Sequence, residues 1–148
     1  MADQTPPPGD PTCVFCKIAA GQISCRKVYE DAHVLAFLDI GPIVHGHTLV
    51  IPKTHVANLL DCPPEIAAHL ARVLPGLCRA VLSVTGAPAC HVLTNNGADA
   101  MQSVFHLHHH ILPRKADDGF SIPWRPGNLN AEQAAAMADG IRRQLAGP

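Results

Sequence analysis

Apolar residues recur along this chain with two different periods, and the change of period divides it into strands and helices. Lys27–Tyr29 and His33–Leu38 are short runs joined by a turn at Glu30-Asp31, which predicts a pair of neighbouring strands. Gly41-Pro42 breaks the chain, and His47–Pro52 (HTLVIP) follows as an apolar, β-branched strand closed by proline. The spacing then becomes helical. After Pro63-Pro64-Glu65, the residues Ile66, Leu70, Val73, Leu74, Leu77, Val81 and Leu82 predict a core-packed helix ended by Gly86. Pro75 lies inside this pattern and is expected to kink or divide the helix, because it removes a backbone donor. Cys90–Thr94 predicts another strand, Asn95-Asn96-Gly97 a tight turn, and Phe105–Pro113 a last strand. A short helix is expected over Lys17–Gly21 and an Ala-rich one over Ala131–Leu145. Strands and helices alternate irregularly with hairpin-like neighbours, so the fold class is α+β with an antiparallel sheet and one long helix.

Composition narrows the setting. Residues 1–12 (MADQTPPPGDPT) are rich in proline and polar residues and are expected to form a disordered tail. Residues 13–148 then make one domain, with a core at 13–115 and a variable tail at 116–148. With 148 residues, 47% of them hydrophobic, the chain can bury an ordinary core. The longest apolar runs are broken well before the roughly 20 residues of a bilayer span. The start carries neither a basic nor an apolar leader, so a soluble, cytoplasmic protein is expected, with no membrane partner. A formal charge of −1 without a dense basic cluster excludes a surface for duplex nucleic acid, though not for a single nucleotide.

The candidate chemistry lies in His106-Leu107-His108-His109-His110. If Phe105–Pro113 is a strand, His106, His108 and His110 share one face, roughly 6–7 Å apart, and His109 points the other way among apolar residues, where it packs. Such a row suits either metal ligation or proton transfer near neutral pH. Among the six cysteines, Cys13-x-x-Cys16 stands out because its two sulfurs can converge on one ion. Zinc, redox and incidental readings of that pair all remain open, since spacing does not say which histidines complete a site.

The run resembles the motif of the histidine triad superfamily, His-apolar-His-apolar-His-apolar-apolar, with His109 as a departure at an apolar position. The segments CVFCKIAAGQI, VYEDAHVLAFLDI, GHTLVIPKTHVANL and TNNGADAMQSVFHLHHHILPR extend the resemblance over about residues 13 to 115. They resemble the bacterial zinc-containing branch related to nucleoside phosphoramidate and dinucleoside polyphosphate hydrolases. The resemblance implies a hydrolase or transferase acting at the α-phosphate of AMP-type nucleotides. His108 would be the nucleophile of a nucleotidyl-histidine intermediate, and His110 and His47 would bond phosphate oxygens or sustain its proton network. It implies Asp39 at the ribose, Phe15, Phe37 and Ile40 around the base, and Asn95, Gln102 and Ser103 near the phosphate or leaving group. It further implies a structural zinc held by Cys13, Cys16, His55 and His106, and a two-fold homodimer. His33, His45, His69 and His91 match no functional position.

Three alternatives follow from the same residues. LPRKADDGF after the triad is reminiscent of dinucleoside polyphosphate hydrolases, whereas Trp124 only faintly echoes the phosphoramidate branch. A nucleotide-binding or protein-interaction module with little turnover is the second reading, and zinc storage by the histidine-rich strand is the third.

Overall fold

A computed structural model describes residues 9–147 of the chain. The elements in order are α1 (Val14–Ala19), β1 (Lys27–Glu30), β2 (Val34–Leu38), β3 (Thr48–Pro52), α2 (Pro64–Thr85), β4 (Ala89–Leu93), β5 (His109–Arg114) and α3 (Ala131–Leu145). The five strands form one antiparallel sheet in the order β1-β2-β3-β5-β4. Of the tail expected to be disordered, residues 1–8 lie outside the described residues, while Gly9–Thr12 lead into α1.

Why β2 and β3 are apolar at almost every position follows from the two faces of the sheet. Successive strand side chains point to opposite faces. Val34, Ala36, Val50 and Ile111 cluster on one face with Leu70 and Leu77 of α2, and Leu35, Phe37, Leu49 and Ile51 cluster on the other with Phe15 of α1. Both faces are covered, so alternation with polar residues disappears. Register extends this division to the histidines. His109 lies opposite Val50 and His110 opposite Leu49, so His110 belongs to the α1 face and His109 to the α2 face.

Three expectations need correction. Pro75 neither divides nor ends α2, which runs unbroken for 22 residues until Gly86 closes it at φ 65, donating its N–H to the Leu82 carbonyl. The last strand begins at His109 rather than Phe105, because Leu107 N donates to the Val56 carbonyl (2.7 Å) instead of joining the ladder. The short helix begins at Val14 rather than Lys17, with Cys13 as its cap, so both paired cysteines fall in its first turn. By length and composition alone α2 would suffice to span a bilayer, as core helices of this length often would. It lies instead along the sheet, with Leu70 and Leu77 buried and Arg72 and Arg79 exposed.

The tail after β5 is pinned near its start, where Asp118 pairs with Arg114 and the guanidinium of Arg114 lies 4.9 Å from the Phe120 ring centroid. Beyond it, α3 leaves Met137, Ile141 and Leu145 exposed.

Leu70 is fully buried between α2 and the sheet. Leu70→Ala is expected to lower unfolding free energy by about 2–5 kcal/mol in urea titration, and Val84→Ala on the exposed side by less than about 0.5 kcal/mol.

Candidate active site and metal centre

Two sites share the α1 face, both drawing on the His106–His110 segment. The first is an open cleft of about 840 Å³ whose wall includes Val14, Phe15 and Ile18 of α1, Phe37 to Ile40 at the end of β2, Leu49, Ser103, His108 and His110. Phe15, Phe37, Ile40, Asp39, Ser103, His108 and His110 all line it. His47, Gln102 and Asn95 are not among the lining residues. Cleft residues that the sequence reading missed are Val14, Ile18, Ile23 to Arg26, Leu38, Leu49 and Val104. They lie on α1, in a loop, beside the triad, or on a strand whose spacing marks core but not which core face borders a ligand.

His108 is 5% exposed, and its Nδ1 lies 2.7 Å from the His106 carbonyl. A carbonyl can only accept, so Nδ1 carries the proton and Nε2 keeps its lone pair. Rings 108 and 110 sit with centroids 4.8 Å apart, closer than a continuous strand would place them, because His108 precedes the ladder. Behind them runs a chain of polar contacts. Ile43 N donates to His47 Nδ1 (3.4 Å), and His47 Nε2 lies 2.8 Å from His110 Nδ1. With the His47 proton on Nε2, His110 accepts at Nδ1 and carries its own proton on Nε2. That His110 Nε2 is the buried side-chain polar atom left without a partner among the described residues. Asp39 Oδ2 is 3.4 Å from His47 Nδ1, and Asp39 Oδ1 accepts from Gly41 N (2.8 Å). Gly46 brings His47 into place. A Cβ there would lie 2.4 Å from Thr85 Cγ2, so only glycine lets this turn close against the end of α2.

Gln102 and Asn95 bind the loops that carry the site. Gln102 Oε1 accepts from Gly97 N (2.8 Å), and its Nε2 donates to the carbonyls of Ala57 (2.7 Å) and Val104 (3.1 Å). Asn95 Nδ2 donates to the Met101 carbonyl (3.4 Å), at a residue held at φ 66. Ser103, next to Gln102, is thereby left free to face the cleft.

The second site gathers Cys13, Cys16, His55 and His106, with one ligand atom from each within 4.8 Å of the others. Cys16 Sγ is 3.2 Å from His55 Nδ1 and 3.5 Å from His106 Nδ1, and Cys13 Sγ is 3.4 Å from His106 Nδ1. Zinc bond lengths of about 2.3 Å to sulfur and 2.0 Å to nitrogen set tetrahedral ligand spacings of roughly 3.3–3.8 Å, so this donor set fits the ion. His106 Nε2 lies 2.8 Å from the Pro52 carbonyl, which fixes Nδ1 as the free ligand atom. Thus His106 turns its ring toward the cysteines and its carbonyl toward His108.

Burial governs the titration of the cluster. It pushes His106 and His110 down to about 4, with neighbouring histidines adding to the effect. Burial also lowers His108 and His47, although the carboxylate of Asp39 pulls both back upward. Burial, reinforced by Cys13, pushes the Cys16 thiol up to about 11, a preference that a cation bound by sulfur reverses.

With fold and geometry in hand, comparison with known proteins gives one consistent result. Residues 20–117 match the HIT domain, and the chain belongs to that family. It is 44% identical to the Protein hit of Bacillus subtilis over 90% of this chain and 94% of that protein. It is 45% identical to an adenylylsulfatase of Arabidopsis thaliana (90% and 69%) and 38% identical to an adenosine 5'-monophosphoramidase of Schizosaccharomyces pombe (90% and 98%). Among solved structures, a protein of Streptococcus mutans superposes with a TM-score of 0.91 at 41% identity, covering 94% of this chain and 88% of that one. A zinc-bound histidine triad protein of Mycobacterium smegmatis superposes with a TM-score of 0.71 at 36% identity (93% and 98%). At the level of the family, these relatives support a nucleotide hydrolase.

The lowered imidazoles make stability depend on pH. Above about 6.5 folded and unfolded chains both hold these histidines neutral, whereas below it the unfolded chain takes up protons that the folded chain refuses until about 4. The urea midpoint is therefore expected to fall as the pH drops from 6.5 toward 4, and a flat midpoint across that window would contradict the burial argument.

Proposed function

We propose that this protein cleaves AMP-type nucleotides at the α-phosphate through a covalent intermediate on His108. The observation that carries the proposal is the 2.7 Å bond from His108 Nδ1 to the His106 carbonyl, which leaves a neutral imidazole with its Nε2 lone pair on the cleft side. His108 Nε2 attacks phosphorus, and the bond from phosphorus to the leaving group breaks with its electron pair going to that group. A water then attacks the phosphorus, its released proton replacing the one the leaving group took up on departure, the P–N bond to His108 breaks, and the imidazole recovers its lone pair. Positive charge developing on His108 in the first step is shared with the His106 carbonyl.

Other residues serve the same phosphate. The unpartnered His110 Nε2–H supplies a donor for a phosphate oxygen, and His47 holds His110 in that tautomer through their 2.8 Å contact. Ser103 offers a hydroxyl to the phosphate or leaving group from the cleft wall, backed by Gln102 and, through the Met101 turn, by Asn95. Asp39 receives the ribose hydroxyls, while Phe15, Phe37 and Ile40 enclose a purine base. Cys13, Cys16, His55 and His106 hold a structural zinc, which when bound joins α1 to the catalytic segment with all four positions filled by protein. The names of the Arabidopsis and fission yeast relatives support adenylyl substrates.

We also propose a two-fold homodimer. α2 leaves Val84 exposed and β4 is a sheet edge, so a second copy has apolar surface and an unpaired strand to meet.

His108→Ala is expected to lower turnover of an adenylyl phosphoramidate by at least about 10³-fold while AMP binding is kept. Mixing the unaltered protein with substrate and quenching within one turnover should give a chain heavier by one adenylyl group. Full activity in the variant would refute the mechanism, and AMP binding without any covalent adduct would favour a binding module. Rates for a lysine-type AMP amidate and for diadenosine tetraphosphate, measured side by side, decide the leaving-group class.

A further inference from the structure

The two sites share one short helix. α1 has six residues, far below the roughly 12–15 at which an isolated helix becomes even marginal in water, so its conformation depends on what holds its sides. One side carries Cys13 and Cys16 to the metal ligands, and the other carries Val14, Phe15 and Ile18 to the cleft. Phe15 joins the two. Its ring packs edge-on against Phe37 of the cleft wall (5.7 Å between centroids), the metal ligand His106 (5.9 Å) and the nucleophile His108 (5.2 Å).

A clamp closes the metal side. Asp10 Oδ1 accepts from Thr12 N (2.8 Å) and Thr12 Oγ1 (2.7 Å), and the Asp10 carbonyl accepts from Cys13 N (3.1 Å). This turn sets Gly9 directly on Cys16. A Cβ at residue 9 would stand 2.8 Å from Cys16 Cβ and 2.9 Å from its Sγ, so the contact requires glycine.

We propose that metal occupancy and nucleotide binding stabilise each other through α1, with the Gly9–Thr12 turn as the clamp that keeps the two sites in step. The proposal rests on the metal and nucleotide readings above. A metal held by Cys13 and Cys16 fixes the helix that presents Phe15, so the cleft wall is ordered before the base arrives. A base stacked in the cleft fixes Phe15 and so restrains the same two sulfurs. Linkage makes the two effects equal in size.

The test uses the full chain loaded with zinc. Metal content per chain and AMP affinity by calorimetry are measured first. The share of zinc that the protein keeps at equilibrium against a colorimetric chelator is then measured with and without saturating AMP, and again with adenosine, which has no phosphate to chelate zinc. Saturating nucleotide is expected to tighten zinc binding about tenfold, and zinc removal to weaken AMP binding about tenfold. Gly9→Ala should still bind one zinc but hold it less tightly, and should bind AMP more weakly. Equal zinc affinities with and without bound nucleotide overturn the linkage while leaving both binding sites standing. A chain that binds no zinc, or no AMP, overturns the linkage together with the corresponding reading. The AMP affinity of zinc-loaded Gly9→Ala is read on folded protein, so even if the zinc-free chain does not stay folded, an affinity equal to that of the unaltered chain overturns the clamp.

Discussion

The hydrogen bond from His108 to the carbonyl of His106 is the constraint around which the site is arranged. The carbonyl of His106 accepts from a side chain two residues later rather than from a neighbouring strand, and the chain joins the sheet only at His109. Neighbouring backbone groups left out of the ladder are taken up elsewhere. Leu107 N reaches the Val56 carbonyl, and the His108 carbonyl accepts from Thr94 Oγ1 at 2.7 Å. Without the irregular segment, His106 and His108 would share one strand face. With it, one ring meets two sulfurs while the other meets the cleft.

The sheet divides labour between its faces. The face under α2 carries Leu70, Leu77 and their strand partners, and its role is cohesion. The α1 face carries His110 opposite Leu49, the aromatic pair Phe15 and Phe37, and the routes to both polar sites. Chemistry is thus placed on a surface whose backbone is fixed by packing on the opposite side. Gly46 extends the same logic into a loop, because closeness to Thr85 on α2 sets where His47 stands.

Much of this was legible in the sequence, for identifiable physical reasons. The period change at Pro63 located α2, and the Ala-rich stretch located α3 from Ala131 to Leu145, whose start Asn130 caps in the structure, since local propensity and capping decide such ends. Tertiary competition caused the misses. Pro75 looked like a breaker because the rule concerns an isolated helix, whereas here α2 is held along the sheet on either side of it. Period-2 counting placed the triad on one strand because nothing in the letters reveals that His106 gives up its carbonyl to His108. The same limit explains Ile23 to Arg26. A loop residue borders a ligand only through the path of the chain, and neither composition nor periodicity encodes that path.

Burial and charge together explain how one group of imidazoles can serve both steps of the proposed reaction. Desolvation holds His47, His108 and His110 neutral in the free protein, which suits attack by His108 and leaves Arg26 as the cation on the cleft wall. An anionic phosphate entering the cleft brings negative charge close to these rings. Opposite charge at close range favours the protonated form, so arrival of substrate shifts His110 and His47 upward, against the push of burial. The proton needed by a departing amine or phosphate then becomes easier to hold near the reacting atoms once substrate is present. His108 is the exception that the geometry enforces. Its Nδ1 proton is committed to the His106 carbonyl and its Nε2 is left bare, so among neighbouring rings the backbone contact singles out His108 as the nucleophile of the proposed reaction.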